Sequence, residues 1–309
     1  MRIFITGATG YVGSAVFDAF VRAGHDVTAL VRDSEQAAHL SARGARPVIG
    51  NLAEPESYRA AADAQDGYVH AAFDNSTGRG PAIDRIALDV MLAAARRPRT
   101  SGSTIVSRFL IYTSAPAVLG RSPEPVGEDA PLNPISHVSW RPQHEQIVLD
   151  AGTDRVRTMV VRPGIVYGSG SGLVGELFKS AANGLVRVVG DGNNHWPLVY
   201  DRDLADLYVR LAGCESAGGV YHANDEGDER VNDIVEAIAP HVPVRPDVRH
   251  VPIDEARHKL GSVAEALSLD QVFRSPRARA LGWTPSLRSV AGNAARLHGE
   301  WRTVHTGAV

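Results

Sequence analysis

The chain has 309 residues, 44 % of them hydrophobic and 22 % charged, with a formal net charge of −3. This is the mix of a globular protein with room for a substantial core, and it lacks the basic excess that nucleic acid or an anionic membrane surface would select. The single cysteine, Cys214, excludes an internal disulfide and a cysteine zinc cluster, and it fits a reducing, cytoplasmic setting.

The first segment, MRIFITGATG, is too short in its apolar run for a signal peptide. No run of about 18 apolar residues follows, so no membrane span is expected. Arg2–Thr6 reads as a strand and Tyr11–Ala23 as a helix, with Val12, Val16 and Phe20 at helical spacing. Strands are then expected at Asp26–Val31, Ala45–Ile49, Tyr68–Ala71, Phe109–Tyr112 and Arg157–Val161. Helices are expected from Ser34 to about Ala42, and at Glu54–Ala64, Ile83–Arg96 and Pro142–Ala151. This alternation predicts an α/β fold with a doubly wound parallel sheet. After about Gly164 the rhythm loosens. Leu173–Asn183, Asp201–Ala212, Val231–Ala239 and Leu287–Trp301 read as helices, Arg187–Val189 and Val220–His222 as short strands. Pro240–Pro252 reads as a joining stretch and Thr303–Val309 as a frayed tail. The expected division is a dinucleotide-binding domain over 1–165 and a smaller α/β substrate lobe over 166–309, with some chain exchanged between them.

The most informative motif is Thr6-Gly7-Ala8-Thr9-Gly10-Tyr11-Val12-Gly13, between a strand and a helix. Gly7 permits the tight turn, Gly10 lets the backbone approach a pyrophosphate, and Gly13 lets helix and strand pack closely. The helix N-terminus offers unpaired N–H groups to phosphate oxygens. At the end of the second strand stands Arg32, a cation suited to a 2′-phosphate, which favours NADP; the following Asp33 would serve NAD.

With these residues on view, the chain resembles the extended short-chain dehydrogenase/reductase family, also called the NAD-dependent epimerase/dehydratase family. Thr6–Gly13 is similar to its TGxxGxxG loop. Gly50-Asn51-Leu52 resembles the Gly-Asp-Leu that meets the adenine, with Asn51 in place of aspartate. His70-Ala71-Ala72 resembles the segment that lines the cofactor after the fourth strand. Tyr112-Thr113-Ser114-Ala115 resembles the active-site strand end, and Arg162-Pro163-Gly164-Ile165-Val166-Tyr167-Gly168 the turn beside the nicotinamide. Gly190–Gly192, Val199–Ala205 and Leu281–Pro285 resemble later family signatures. The resemblance implies a Rossmann domain and a cofactor held by Gly7, Thr9, Gly10, Tyr11, Val12, Gly13, Arg32, Asn51, Leu52, His70, Ala71, Ala72, Pro163, Gly164 and Val166. Related proteins often dimerise through two long helices, here Ile83–Arg96 and Pro142–Ala151.

The catalytic residues depart from the family. Its tyrosine moves the proton, and a lysine four residues on holds the nicotinamide ribose. Here lysine occurs only at Lys179 and Lys259. Aligning Glu145-Gln146-Ile147-Val148-Leu149 with the run that usually follows puts His137 in the tyrosine place and Arg141 in the lysine place. A second register puts Trp140 and His144 there. The Ser/Thr place falls on Ala115, with Ser114 one residue earlier and Thr113 beside it. Histidine can exchange a proton near neutral pH; arginine can hold a ribose or an anion but cannot shuttle a proton. His137 also reads as a plain loop histidine and His144 as a helix-surface residue. Tyr112 reads as packing, and Tyr11 and Tyr167 as walls beside the cofactor. His195-Trp196 fits either a pocket or lobe packing. No His-x-x-x-His motif or carboxylate cluster points to a metal. Two functions follow: an NADP-dependent oxidoreductase or epimerase/dehydratase-like enzyme acting on a small carbonyl or hydroxyl compound, or an NADP(H)-binding protein without redox turnover.

Overall fold

The computed structural model describes residues 1–97 and 107–305. The chain divides into two compact units. The first comprises Met1–Ser114, Trp140–Val161 and Ala205–Tyr221; the second comprises Ala115–Ser139, Arg162–Leu204 and His222–Val309.

The first unit is organised by the doubly wound sheet that the alternation of strand and helix predicts. Strands β1 (Arg2–Thr6), β2 (Asp26–Val31), β3 (Arg46–Ile49), β4 (Gly67–His70) and β5 (Arg108–Thr113) pair in parallel in the order β5-β4-β1-β2-β3. The strand Val156–Pro163 joins β5 in parallel, and Gly219–Ala223 forms the far edge of the seven-stranded sheet. The strand order reverses between β1 and β4, and in such sheets ligands bind beyond the carboxyl ends at that reversal. The strands β1, β4 and β5 are nearly continuous apolar runs, as expected for parallel strands buried on both faces.

Helices α1 (Tyr11–Arg22), α2 (Ser34–Ala42), α3 (Arg59–Asp63), α4 (Gly80–Arg96) and α5 (Arg141–Asp150) connect these strands. The helix expected over Glu54–Ala64 is shorter: Pro55–Ser57 forms a 3₁₀ turn ahead of α3. One face of α4 (Ala87, Leu88, Met91, Ala95) packs with Tyr68, Leu110, Tyr112 and Val148 in the main core. Asp84 interrupts that apolar face with a carboxylate that is 3 % exposed.

The second unit has its own core, built around Phe178, Trp196, Tyr200, Ile234, Val290 and Trp301. Pro240–Pro252 is more than a joining stretch, since Asp247–Val251 pairs in parallel with Leu185–Val189. The helix expected over Leu287–Trp301 begins only at Ala294, after a 3₁₀ turn at Ala291–Asn293, and continues to His305. Part of the expected frayed tail is therefore helical, and the rest, 306–309, lies outside the described residues. No described helix is long and apolar enough to cross a membrane.

Candidate active site

The glycine loop has the geometry that its spacing suggests. Gly7 has φ +82°, and a Cβ there would stand 2.7 Å from the Ala71 carbonyl carbon and the Ala72 nitrogen. A Cβ on Gly13 would stand 2.1 Å from the Gly7 carbonyl oxygen. The Gly10 N–H donates to that same carbonyl at 2.9 Å, and Gly10 caps α1 with no side-chain bond. The cap therefore supplies no side-chain acceptor to the first turn of α1, and Thr9 beside it is exposed. Tyr11 and Val12 open the helix, and Ala71 donates its N–H to the Thr6 carbonyl at 3.2 Å, holding the end of β4 against the loop.

At the end of β2, the two candidate residues part ways. Asp33 caps α2, its carboxylate accepting the Gln36 N–H at 2.8 Å. Arg32 is exposed, and its backbone N–H donates to Gln36 Oε1 at 3.1 Å. Asn51 turns its side chain back on its own loop, accepting from Ala53 N at 3.0 Å and donating to Glu54 at 3.2 Å. Leu52 packs partly buried against the main core. Pro163, Gly164 and Val166 lie in the second unit, where Gly164 N donates to the Ala223 carbonyl at 2.8 Å and Val166 pairs with Val199.

Beyond β4 and β5, the first unit gathers a polar network that no single motif announces. Asp84 on α4 accepts from His70 Nε2 at 3.1 Å on one oxygen. Its other oxygen takes Tyr112 Oη at 3.0 Å and His144 Nδ1 at 2.7 Å. His70 Nδ1 sits 2.6 Å from Thr6 Oγ1 at the end of β1. Arg141, at the start of α5, donates from Nη1 to Tyr112 Oη at 3.2 Å and to the Thr113 carbonyl at 3.1 Å. Its Nε is buried with no acceptor among the described residues. The guanidinium lies 4.5 Å from the Trp140 ring and 5.2 Å from the Phe73 ring, and those two rings stack at 5.1 Å. Burial opposes ionisation of Asp84, but His70, His144 and Arg141 outweigh it and hold the carboxyl well below the usual carboxylate range. Burial, reinforced by Asp84, pushes the Tyr112 hydroxyl far above its ordinary value, against the pull of Arg141.

The other candidates are placed as follows. Ser114 is buried and donates its hydroxyl to Glu145 on α5. Thr113 Oγ1 is 2.7 Å from Tyr208 Oη. His137 is exposed in the second unit, its Nδ1 2.9 Å from Ser262 Oγ. His144 differs from the helix-surface reading: it is 6 % exposed, because Asp84 draws it inward. Tyr167 is not a wall but a core residue of the second unit, donating to Asp225 at 3.0 Å. His195 and Trp196 pack the second unit, bonding Asp270 at 2.9 Å and the Leu267 carbonyl at 3.0 Å. The residue that sequence reasoning missed is Asp84. Its signal is the spacing Asp84, Ala87, Leu88, Met91, which puts a carboxylate on the apolar face of a helix.

The loop fits a dinucleotide site in its packing: a Cβ at Gly7 or Gly13 would meet backbone at 2.7 or 2.1 Å, so these two glycines let strand, loop and helix approach as such a site requires. Comparison with known proteins agrees. The model of the NAD dependent epimerase/dehydratase family matches residues 3–223. An uncharacterized protein of Schizosaccharomyces pombe is 32 % identical over 292 residues, covering 93 % of this chain and 95 % of its own. A 2-alkyl-3-oxoalkanoate reductase of Stenotrophomonas maltophilia is 29 % identical over 294 residues, covering 86 % and 83 %. The crystal structure of human epimerase family protein SDR39U1 with NADPH superposes with a TM-score of 0.77 at 18 % identity, covering 97 % of this chain and 99 % of that one. Glycine cradle, strand order and family match converge: the chain belongs to the NAD dependent epimerase/dehydratase family.

Proposed function

We propose that the protein is an NADP-dependent reductase of a small carbonyl compound, with arginine standing where the family has lysine. The observation that carries this reading is the division of labour at the end of β2. Asp33 is spent on capping α2, while Arg32 has no side-chain bond among the described contacts and stays available to a 2′-phosphate. Gly7, Gly10 and Gly13, with the amides of α1, would hold the pyrophosphate. When bound, the reduced nicotinamide supplies a hydride.

Arg141 would steady the negative charge that develops on the substrate oxygen, or hold the ribose hydroxyls. It is pre-positioned for either by Tyr112, the Thr113 carbonyl and the two stacked rings. The reductase of Stenotrophomonas maltophilia supports a 3-oxo compound as the first substrate class to try. The bonds of Ser114 to Glu145 and of Thr113 to Tyr208 favour a second reading, cofactor binding without redox turnover, because they engage both hydroxyls near the family's Ser/Thr place.

Calorimetry with NADPH and NADH, followed by loss of the reduced-nicotinamide absorbance against a panel of 3-oxo esters and ketones, tests both. NADPH should bind at least about tenfold more tightly than NADH, the worth of one charge-assisted hydrogen bond. Equal affinities would refute the cofactor assignment. Tight binding with no oxidation of NADPH across the panel would leave the second reading.

A further inference from the structure

Reducing a carbonyl consumes a hydride and a proton, and Arg141 cannot give up the proton. We propose that His144, oriented by Asp84, is the proton donor; this rests on the reductase reading above.

His144 lies four residues after Trp140 and three after Arg141, so all three share one face of α5. An ionised carboxylate only accepts hydrogen bonds, so the 2.7 Å contact with Asp84 requires a hydrogen on His144 Nδ1. The position that gains or loses a proton is then Nε2, which takes no hydrogen bond among the described contacts. Asp84 is itself fixed from three directions. His70 reaches it from β4, Tyr112 from β5 and His144 from α5, and Thr6 on β1 holds the far side of His70. Such a carboxylate sets the tautomer of the ring. Arg141 and Glu145 are the other charged groups around the network. The charge of Arg141 reaches both Asp84 and Tyr112, and that of Glu145 reaches Tyr112. The Trp140 ring stands edge-on to His144 at 4.9 Å.

In the step proposed, the carbonyl carbon gains the hydride and the C=O π pair moves to oxygen. The His144 Nε2–H bond breaks as the new O–H bond forms. The neutral imidazole regains its proton from water, and Asp84 stays ionised throughout. His137 offers less: it is exposed, and its partner is a serine hydroxyl rather than a carboxylate.

Three variants and one spectrum decide the matter. His144→Gln should lower kcat by about 100-fold or more, the usual worth of a general acid, with NADPH affinity unchanged. Asp84→Asn should lower kcat by about tenfold and move the pH profile down by about one unit, because the imidazolium loses its counter-charge. His137→Ala should keep kcat within about threefold. Independently of turnover, nitrogen NMR of the wild-type imidazoles should show the neutral His144 ring as the Nδ1–H tautomer, with Nε2 bare. Full kcat in His144→Gln, or a permanently protonated Nε2 with a bare Nδ1, would overturn the assignment. If His137→Ala suffers the loss instead, only the choice of histidine falls. A wild-type protein that oxidises NADPH with no carbonyl ends the reductase reading and the donor role with it, and the spectrum then reports on the dyad alone.

Discussion

Replacing Gly13 with alanine sets two effects of opposite sign against each other. Inside a helix, alanine is ordinarily better than glycine by about 1 kcal/mol. At Gly13, however, the new methyl would stand 2.1 Å from the Gly7 carbonyl oxygen, 2.6 Å from its carbon and 3.2 Å from Ala8 N. All three are backbone atoms, so no side-chain rotation relieves the clash, and α1 must move away from β1. Overpacking of this kind costs about 1–3 kcal/mol, and contacts this short belong at the upper end. The expected net loss is about 2 kcal/mol. Because the same movement opens the loop, NADPH affinity should fall by about tenfold or more. Urea unfolding and calorimetry measure the two quantities. Gly299→Ala is the control: Gly299 lies in the helix Ala294–His305, and a Cβ there meets nothing within 4 Å. That variant should gain up to about 1 kcal/mol with binding unchanged. A Gly13→Ala protein as stable as the wild type, with undiminished NADPH affinity, would refute the close-approach explanation.

Arg32→Ala should weaken NADPH by about tenfold and leave NADH within about threefold, as read by calorimetry; parallel losses for both would place Arg32 away from the 2′-phosphate. Asp225 gives a pH dependence of stability. Burial raises its carboxyl to about 7, against the bonds from Gly227 N and Tyr167 Oη, from an ordinary value of 3.8. Its contribution is therefore fully present below about pH 4 and lost as pH rises through about 7. Asp225→Asn should erase that slope and gain up to roughly 4 kcal/mol above neutrality. Melting temperatures taken from pH 5 to pH 9 check it, and a gain that shrinks as pH rises would contradict the sign.

The frame of the first unit was legible because its strands are apolar runs and its helices are amphipathic with glycine punctuation. Those are local signals, and the parallel order follows from them. The glycine loop was legible for the same reason, since Gly7 and Gly13 answer local steric demands. The Glu145–Leu149 run singles out Arg141, which begins α5. The role of Asp33 was readable in principle, because Asp-x-x-Gln at a strand end is a helix-start pattern. The Asp84 network was not, since its partners His70, Tyr112 and His144 lie 14, 28 and 60 positions away. Only the tertiary fold decides which histidine turns inward. The second unit was the least legible: its strands are two to five residues long and several pair across long stretches of chain. The break of the Leu287–Trp301 helix reflects Glu229, which accepts the Val290 and Ala291 amides and so starts a 3₁₀ turn there.

Both units are discontinuous in sequence, and this bears on how the protein is made. The strand Ser122–Val126 has to await Gln271–Phe273, and Leu185–Val189 has to await Asp247–Val251. Ala205–Tyr221, which belongs to the first unit, is synthesised after much of the second. Chain closure over such separations is slow, so a ribosome-bound nascent chain of 165 residues would lack partners on both sides. A gene cut there would yield two halves that need each other to fold, and neither would make a self-sufficient expression fragment.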